Sequence, residues 1–423
     1  MRSINFSKLK TQTNGWEAAA CLLAEYRERP RKSNELLEKL PFASGSAERS
    51  YAQYLFLGAL RHGHRTQHIL RQFIRKTPRT ETEAVLLIAG FELYDSPKEK
   101  HPKIVHNAVE KAKGILSQAE SRLINAVLRK LPDAFAAIKP NDKATFHSHP
   151  DWLVEHWTEE VGANATQSLL LWNQNTPNNH VEILSKEIPP EVTPTEWPNF
   201  YRLQSGSIPE TIQALLRTGE AFIKDPSTRL APNLLAPKPG ESVLDLCAAP
   251  GGKAFDMARI MKGKGLLQAV DLPGPRIERL RENLSRLVSQ SFKTSLLECD
   301  LLELNREQLP DLFDAVMLDA PCSNTGVIQR RTDVKWRLRP EDISNCAHLQ
   351  SQLLHSAARF VKPGGRLLYS TCSIESSENK EVVDGFLASR SGKAFSLETQ
   401  SIYYPWETGH DGAGVSLLTR SSC

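Results

Sequence analysis

The chain has 423 residues, 40% of them hydrophobic and 24% charged, with 53 Lys and Arg against 49 Asp and Glu for a formal net charge of +4. That length predicts about two or three domains with real cores, and the slight basic excess permits nucleic-acid binding without requiring it. No apolar run approaches the roughly 18 residues of a membrane span, and the first residues lack the apolar core of a signal peptide. Seven scattered cysteines without a C-x-x-C pair argue against a disulfide framework or a structural zinc site. A cytoplasmic protein with reduced thiols is the expectation.

From Trp16 to about Leu131, apolar residues recur at three and four over 16–23, 51–73, 81–94, 104–116 and 122–131, with Arg29-Pro30, Thr77-Pro78, Ser96-Pro97 and His101-Pro102 as breaks. This pattern predicts an all-helical domain over 1–139. His62, His64 and His68 lie in one of these helical stretches, but spacings of two and six do not bring three imidazoles to one face, so no metal is predicted.

Residues 140–237 are mixed: a helix over 152–161, a strand-like Val181-Glu182-Ile183-Leu184 and a Pro-rich link from Ile188 to Pro198. They read as a small α+β connector with a segment leading into the C-terminal domain. Over 238–423 short apolar runs, Ser242–Leu246, Leu266–Val270, Ser295–Leu297, Ala315–Leu318 and Arg366–Tyr369, alternate with helical patterns. Such alternation predicts an α/β unit with a Rossmann-like, doubly wound, mostly parallel sheet.

The chemistry gathers at the ends of these predicted strands. Leu244-Asp245-Leu246-Cys247-Ala248-Ala249-Pro250-Gly251-Gly252-Lys253 sets a Gly-rich turn between the first strand and a helix. It is neither a dinucleotide fingerprint nor a P-loop, which favours a nucleoside cofactor without a pyrophosphate. Asp271, about 20 residues on, stands where such folds hold ribose hydroxyls, Asp300 can meet an adenine amino group, and Asp319 faces the reacting centre.

Cys322 and Cys372 each come shortly after an apolar, strand-like run. A lone cysteine at a strand end is more often a small buried hydrophobe. Two in one crevice suggest covalent chemistry: a thiolate added to C6 of a pyrimidine turns the ring into an enamine that can attack a methyl donor at C5, and a second thiol can act as base or help expel the first. Gln329 to Arg339 interleaves five cations with the indole of Trp336, so Arg330, Arg331, Lys335 and Trp336 are expected to contact RNA.

These motifs, Leu246 to Lys253, Asp319-Ala320-Pro321-Cys322-Ser323-Asn324-Thr325-Gly326, Lys335-Trp336, and Tyr369 to Ser373 with Glu378-Asn379 downstream, resemble those of the Sun-type (NOL/NOP/Sun) RNA cytosine-5 methyltransferases. Asp225-Pro226-Ser227-Thr228, Asn107-Ala108-Val109-Glu110 and Ile124 to Arg129 extend the likeness to the bacterial 16S ribosomal RNA methyltransferases of the RsmB type, with their NusB-like N-terminal domain.

The resemblance implies that Cys247, Ala248, Ala249, Pro250, Gly251, Gly252 and Lys253 line S-adenosylmethionine, with Asp271 at its ribose, Asp300 near its adenine and Asp319 near both methyl donor and base. It implies Cys372 as nucleophile and Cys322 as the residue that resolves the adduct, with small-subunit ribosomal RNA as partner of a monomer. Competing readings are a transfer RNA or large-subunit RNA substrate, or a catalytically silent assembly factor. Two stretches depart from the pattern: His180-Val181-Glu182 stands for Arg-Val-Asn, and Asp411-Gly412-Ala413-Gly414 for Asp-Gly-Phe-Phe.

Overall fold

Helix caps and small residues organise the N-terminal third. The computed structural model describes residues 14–43, 45–204 and 208–422. Asn14 accepts from the Glu17 amide to start helix Gly15–Glu28, Ser46 accepts from Arg49 to start Ala47–Phe73, and Ser117 with Glu120 forms a capping box at Gln118–Leu128. Helices Thr80–Asp95, His101–Ile115 and Leu131–Ala137 complete the bundle, whose core includes Trp16, Leu22, Phe56, Leu86, Ile88 and Leu128. Gly58 lets two helices touch: a Cβ there would collide with the Phe91 ring. Among the described residues no helix is long and apolar enough to cross a membrane.

The connector begins with helices Asp151–Val161 and Ala163–Gln174. Strands β1 (His180–Ile183), β2 (Val192–Pro194), β3 (Phe200–Leu203) and β4 (Ala221–Ile223) then form an antiparallel sheet of order β2-β3-β1-β4. Helix Glu210–Thr218 covers it through Ile212, in a small core with Val181, Ile183 and Ala221.

The remainder builds one seven-stranded sheet from β5 (Ser242–Leu246), β6 (Gly265–Asp271), β7 (Phe292–Glu298), β8 (Phe313–Asp319), β9 (Val361–Thr371), β10 (Phe395–Tyr403) and β11 (Ala413–Arg420). Its order is β10-β11-β9-β8-β5-β6-β7. The five strands expected from the sequence are all present and mutually parallel, while β11 runs antiparallel between β9 and β10. The order reverses at β5, so the crevice beyond the carboxyl ends of β5 and β8 is the topological switch point. Helix Leu230–Leu235 contributes Ala231 and Leu235 to the same core as Val243, Met257 and Met317, so the lead-in segment packs with this sheet.

Candidate active site

Every strand-end residue singled out in the sequence arrives at this one edge. Asp271 and Asp319 are the last residues of β6 and β8, while Cys247 and Cys372 each come directly after the last residue of β5 and β9. Asp300 lies just beyond β7 and caps its own turn, accepting from the Leu302 amide at 2.9 Å.

The turn after β5 is wound tightly. Cys247 holds a left-handed φ of 59°, and Gly251 a φ of 98° as N-cap of helix Gly252–Ile260. A left-handed conformation at a residue with a side chain costs energy and persists only where its surroundings fix it. Asp271 does the fixing, accepting from the Ala249 amide at 2.6 Å and the Leu272 amide at 2.7 Å. Lys253 donates to Asp319, whose other oxygen accepts from Ser370 at 2.9 Å. Burial works against the Lys253 charge, but Asp319 offsets it and holds the ammonium pKa above its ordinary value.

The two sulfurs lie 3.1 Å apart. As a thiol, Cys372 donates to Asn324 Oδ1 at 3.2 Å, and the same oxygen accepts from Arg331 at 2.7 Å. The contact with Cys322 pulls the Cys372 pKa down against burial, helped by the Arg331 and Lys253 cations. The same contact, together with burial, pushes Cys322 well up. The opposed directions suit Cys372 as the thiolate and Cys322 as its hydrogen-bond donor.

A buried carboxylate sets this spacing. Glu378 accepts from the Ser323 amide at 2.9 Å, from Ser373 Oγ at 2.7 Å and from Gln350 at 2.8 Å, so it ties together the residues next to the two thiols. Gly326 and Gly412 press their backbones together beside it, with the Gly412 amide donating to the Gly326 carbonyl at 2.8 Å. Gly414 has no room for a side chain, because a Cβ would collide with Asn379.

The basic stretch behaves differently from its expected role. Lys335 is 1% exposed and donates to the carbonyls of Arg61 and Ser148 at 2.8 and 2.6 Å. Trp336 donates to the Leu60 carbonyl at 2.7 Å and stacks on His64, with ring centres 5.5 Å apart. Arg330 bridges Asp411 and Asp225 at 2.9 and 2.7 Å. Lys335 and Trp336, expected to contact RNA, are instead ties to the N-terminal domain, while Arg330, ion-paired to Asp225 and Asp411, still lines the cavity that holds Cys372. Arg331 alone of the four stays exposed, on the wall of the cavity that holds Cys372.

Glu182 is likewise structural: fully buried, it meets Lys224, Arg259 and Arg229 at 2.7, 2.9 and 3.3 Å. Of the histidines, His62 stacks on Phe91 and His64 on Trp336, in separate environments. Among the described residues, His156, Glu160 and Glu375 gather ligand-type atoms. They satisfy one another, and both carboxylates, Glu160 first, raise the His156 pKa to about 10.

Sequence reasoning passed over Asp245, the penultimate residue of β5. It is 1% exposed, neither of its oxygens has a hydrogen-bond partner, and burial with the Asp319 and Asp271 charges raises its pKa to about 8. The signal was an acid between two leucines in a strand otherwise apolar. An orphaned acid beside Asp271, Asp319 and a glycine turn suits a positively charged nucleoside, and S-adenosylmethionine fits the residues present. Cys247 to Lys253, Asp271 and Asp319 would hold it.

The family model for 16S rRNA methyltransferase RsmB/F matches residues 232–406, and that for the NusB family matches 16–133. A probable ribosomal RNA small subunit methyltransferase B from Bacillus subtilis is 31% identical over 376 residues, 84% of this chain and 82% of that one. The ribosomal RNA small subunit methyltransferase B of Sodalis glossinidius is 31% identical over 90% of each chain. The crystal structure of PH0851 superposes with a TM-score of 0.76 at 23% identity, covering 96% of this chain and 99% of that one, a likeness of fold. With both domains matched and a relative at this identity across most of its length, the chain belongs to the S-adenosylmethionine-dependent 16S rRNA methyltransferase family RsmB/F.

Proposed function

We propose that the chain methylates C5 of a cytosine in small-subunit ribosomal RNA through a covalent bond between Cys372 and C6. The observation that carries the reading is the 3.1 Å pair of sulfurs, of which Cys372 lines one cavity together with Asp319. Bound S-adenosylmethionine supplies an electrophilic methyl group at its sulfonium. The Cys372 thiolate adds to C6, and Asp319, protonated through its contact with the Lys253 ammonium, donates at the N3 edge, so that the negative charge developing on the ring is neutralised and C5 becomes nucleophilic. Cys322, its own proton having passed to water, then takes the C5 proton, and the electron pair left behind expels Cys372.

The opposed shifts of the two thiols suit this order of events. Cys322 stays protonated while a thiolate lies beside it. Once Cys372 is a thioether that charge is gone, and the proton of Cys322 becomes easier to lose just when a base is needed.

RNA would approach along the cavity wall formed by Arg331, with further contacts from the NusB-family domain, the protein acting as a cytoplasmic monomer. The target base must leave its stack to reach a recessed sulfur. The choice of small-subunit RNA rests on the names of the relatives. Cys372→Ala should abolish both turnover and RNA crosslinking, whereas Cys322→Ala should accumulate a trapped RNA adduct. The reverse pattern would overturn the roles, and 5-methylcytosine mapping with and without the gene identifies the RNA.

A further inference from the structure

The same two sulfurs can react with each other when no RNA is bound. A disulfide needs its sulfurs about 2.05 Å apart, and Cys322 and Cys372 already stand at 3.1 Å. The gap left to close is about 1 Å. The residues after both thiols are tied to Glu378, so the sulfurs are held face to face rather than meeting by chance.

Reactivity is also apportioned between them. Oxidants attack the thiolate, and a cysteine next to cations in an accessible site is the one oxidised. Cys372 meets both conditions, since it lines a cavity of about 350 Å³ together with Lys253 and Arg331. Burial pushes the Cys247, Cys299 and Cys346 thiols up, Cys346 to about 12, which leaves them in the unreactive form.

We propose that Cys322 and Cys372 form a peroxide-reactive dithiol that closes into a reversible disulfide and switches the methyltransferase centre off under oxidative stress. The Cys372 thiolate attacks hydrogen peroxide; an S–O bond forms, the O–O bond breaks, and hydroxide leaves and is protonated to water. Cys372 is then a neutral sulfenic acid, so the charge that kept Cys322 protonated has gone. Cys322 attacks the Cys372 sulfur, an S–S bond forms, the S–O bond breaks, and the departing hydroxide leaves as water with the Cys322 proton. Two electrons pass from the thiols to the peroxide, and an external dithiol reverses the change.

The disulfide retires the nucleophile and the resolving thiol together, and it spares Cys372 from irreversible oxidation to sulfinic acid. An RNA adduct on Cys372 would block the reaction, so enzyme in mid-turnover is protected.

The test treats the reduced full-length protein with hydrogen peroxide, alkylates the remaining thiols and maps peptides by mass spectrometry. The expected result is loss of two of the seven thiols, a linked peptide joining Cys322 to Cys372, and methyl transfer that falls and returns with dithiothreitol. Cys322→Ser should yield no linked peptide and accumulate sulfinic acid on Cys372. Wild-type protein in which Cys372 becomes sulfinic acid while Cys322 is still alkylated, or in which all seven thiols survive, overturns the proposal. The wild-type peptide map decides this without any variant. It is also independent of the substrate, so a disulfide found in a protein that never methylates cytosine would sink only the proposed function.

Discussion

Lys335 donates to the Arg61 carbonyl across 2.8 Å, so a lysine of the catalytic domain is sealed against a helix of the N-terminal domain. Arg61 answers through its own side chain, donating to the Gln329 carbonyl at 2.9 Å, and Tyr26 and Ser33 both bond to Asp333. Burial, with Arg61 and Arg65 nearby, drives the Lys335 pKa well below the ordinary lysine value. Residues 329–337 are a bolt between domains.

Lys335→Ala should cost on the order of 2 kcal/mol, because two buried carbonyls lose their donor, and thermal unfolding should shift down accordingly. Its RNA affinity should keep the wild-type dependence on salt. Arg331→Ala should do the opposite, leaving the melting temperature unchanged while the slope of log Kd against log salt falls by about 0.7. A shallower salt slope in the Lys335 variant would restore it as an RNA contact.

When Cys372 is a thiol it donates a hydrogen bond to Asn324, which sits at a left-handed φ of 66°. Asn324→Gly keeps that backbone accessible and removes the acceptor. Since a hydrogen bond to the protonated form raises a pKa, its loss should lower that of Cys372 further. Alkylation of Cys372 monitored against pH should show its midpoint moved to lower pH; an unchanged or higher midpoint would dismiss the assigned role.

Glu378→Gln replaces an acceptor of several donors with a group that can satisfy fewer of them. The variant should lose roughly 3 kcal/mol of stability, since buried donors are left without partners. It should also form the Cys322 to Cys372 disulfide more slowly, as the loops carrying the sulfurs separate. Chemical denaturation and the peptide map measure the two effects.

Asp245 predicts a pH effect with a definite sign. Its folded pKa of about 8 lies above the usual carboxylate range, so the native state retains a proton that the unfolded chain has lost. Stability tied to this group is therefore full below the unfolded pKa and drains away as pH rises through about 8. Asp245→Asn should flatten that decline. A cationic cofactor favours the ionised carboxylate, so S-adenosylmethionine binding near pH 7 should release a proton from the wild type and none through this group in the variant, as calorimetry in buffers of different ionisation enthalpy would show.

Much of the catalytic centre was legible because it is made of strand ends. Period and turn residues locate β5, β6 and β8, and the residues just beyond them must then share one edge, whatever the details of packing. Strands β10 and β11 were not legible. The first, Phe395–Tyr403, is polar and half exposed along its length, so no apolar run marks it. The antiparallel pairing of β11 on β9 places Gly412 against Gly326 and Ile374, in the loops of the two thiols, which no local pattern announces.

The misread basic stretch has the same origin. Five cations around an indole look alike whether they face a phosphate or a neighbouring domain, since composition carries no information about what lies opposite. The sequence by itself determined the two principal folds, the Gly-rich turn and the two cysteines, because each is written in residues close together along the chain. Only the tertiary structure decided which cations remain free, which sulfur ionises and which acid is left without a partner, because charge state and exposure depend on neighbours brought together from distant parts of the chain.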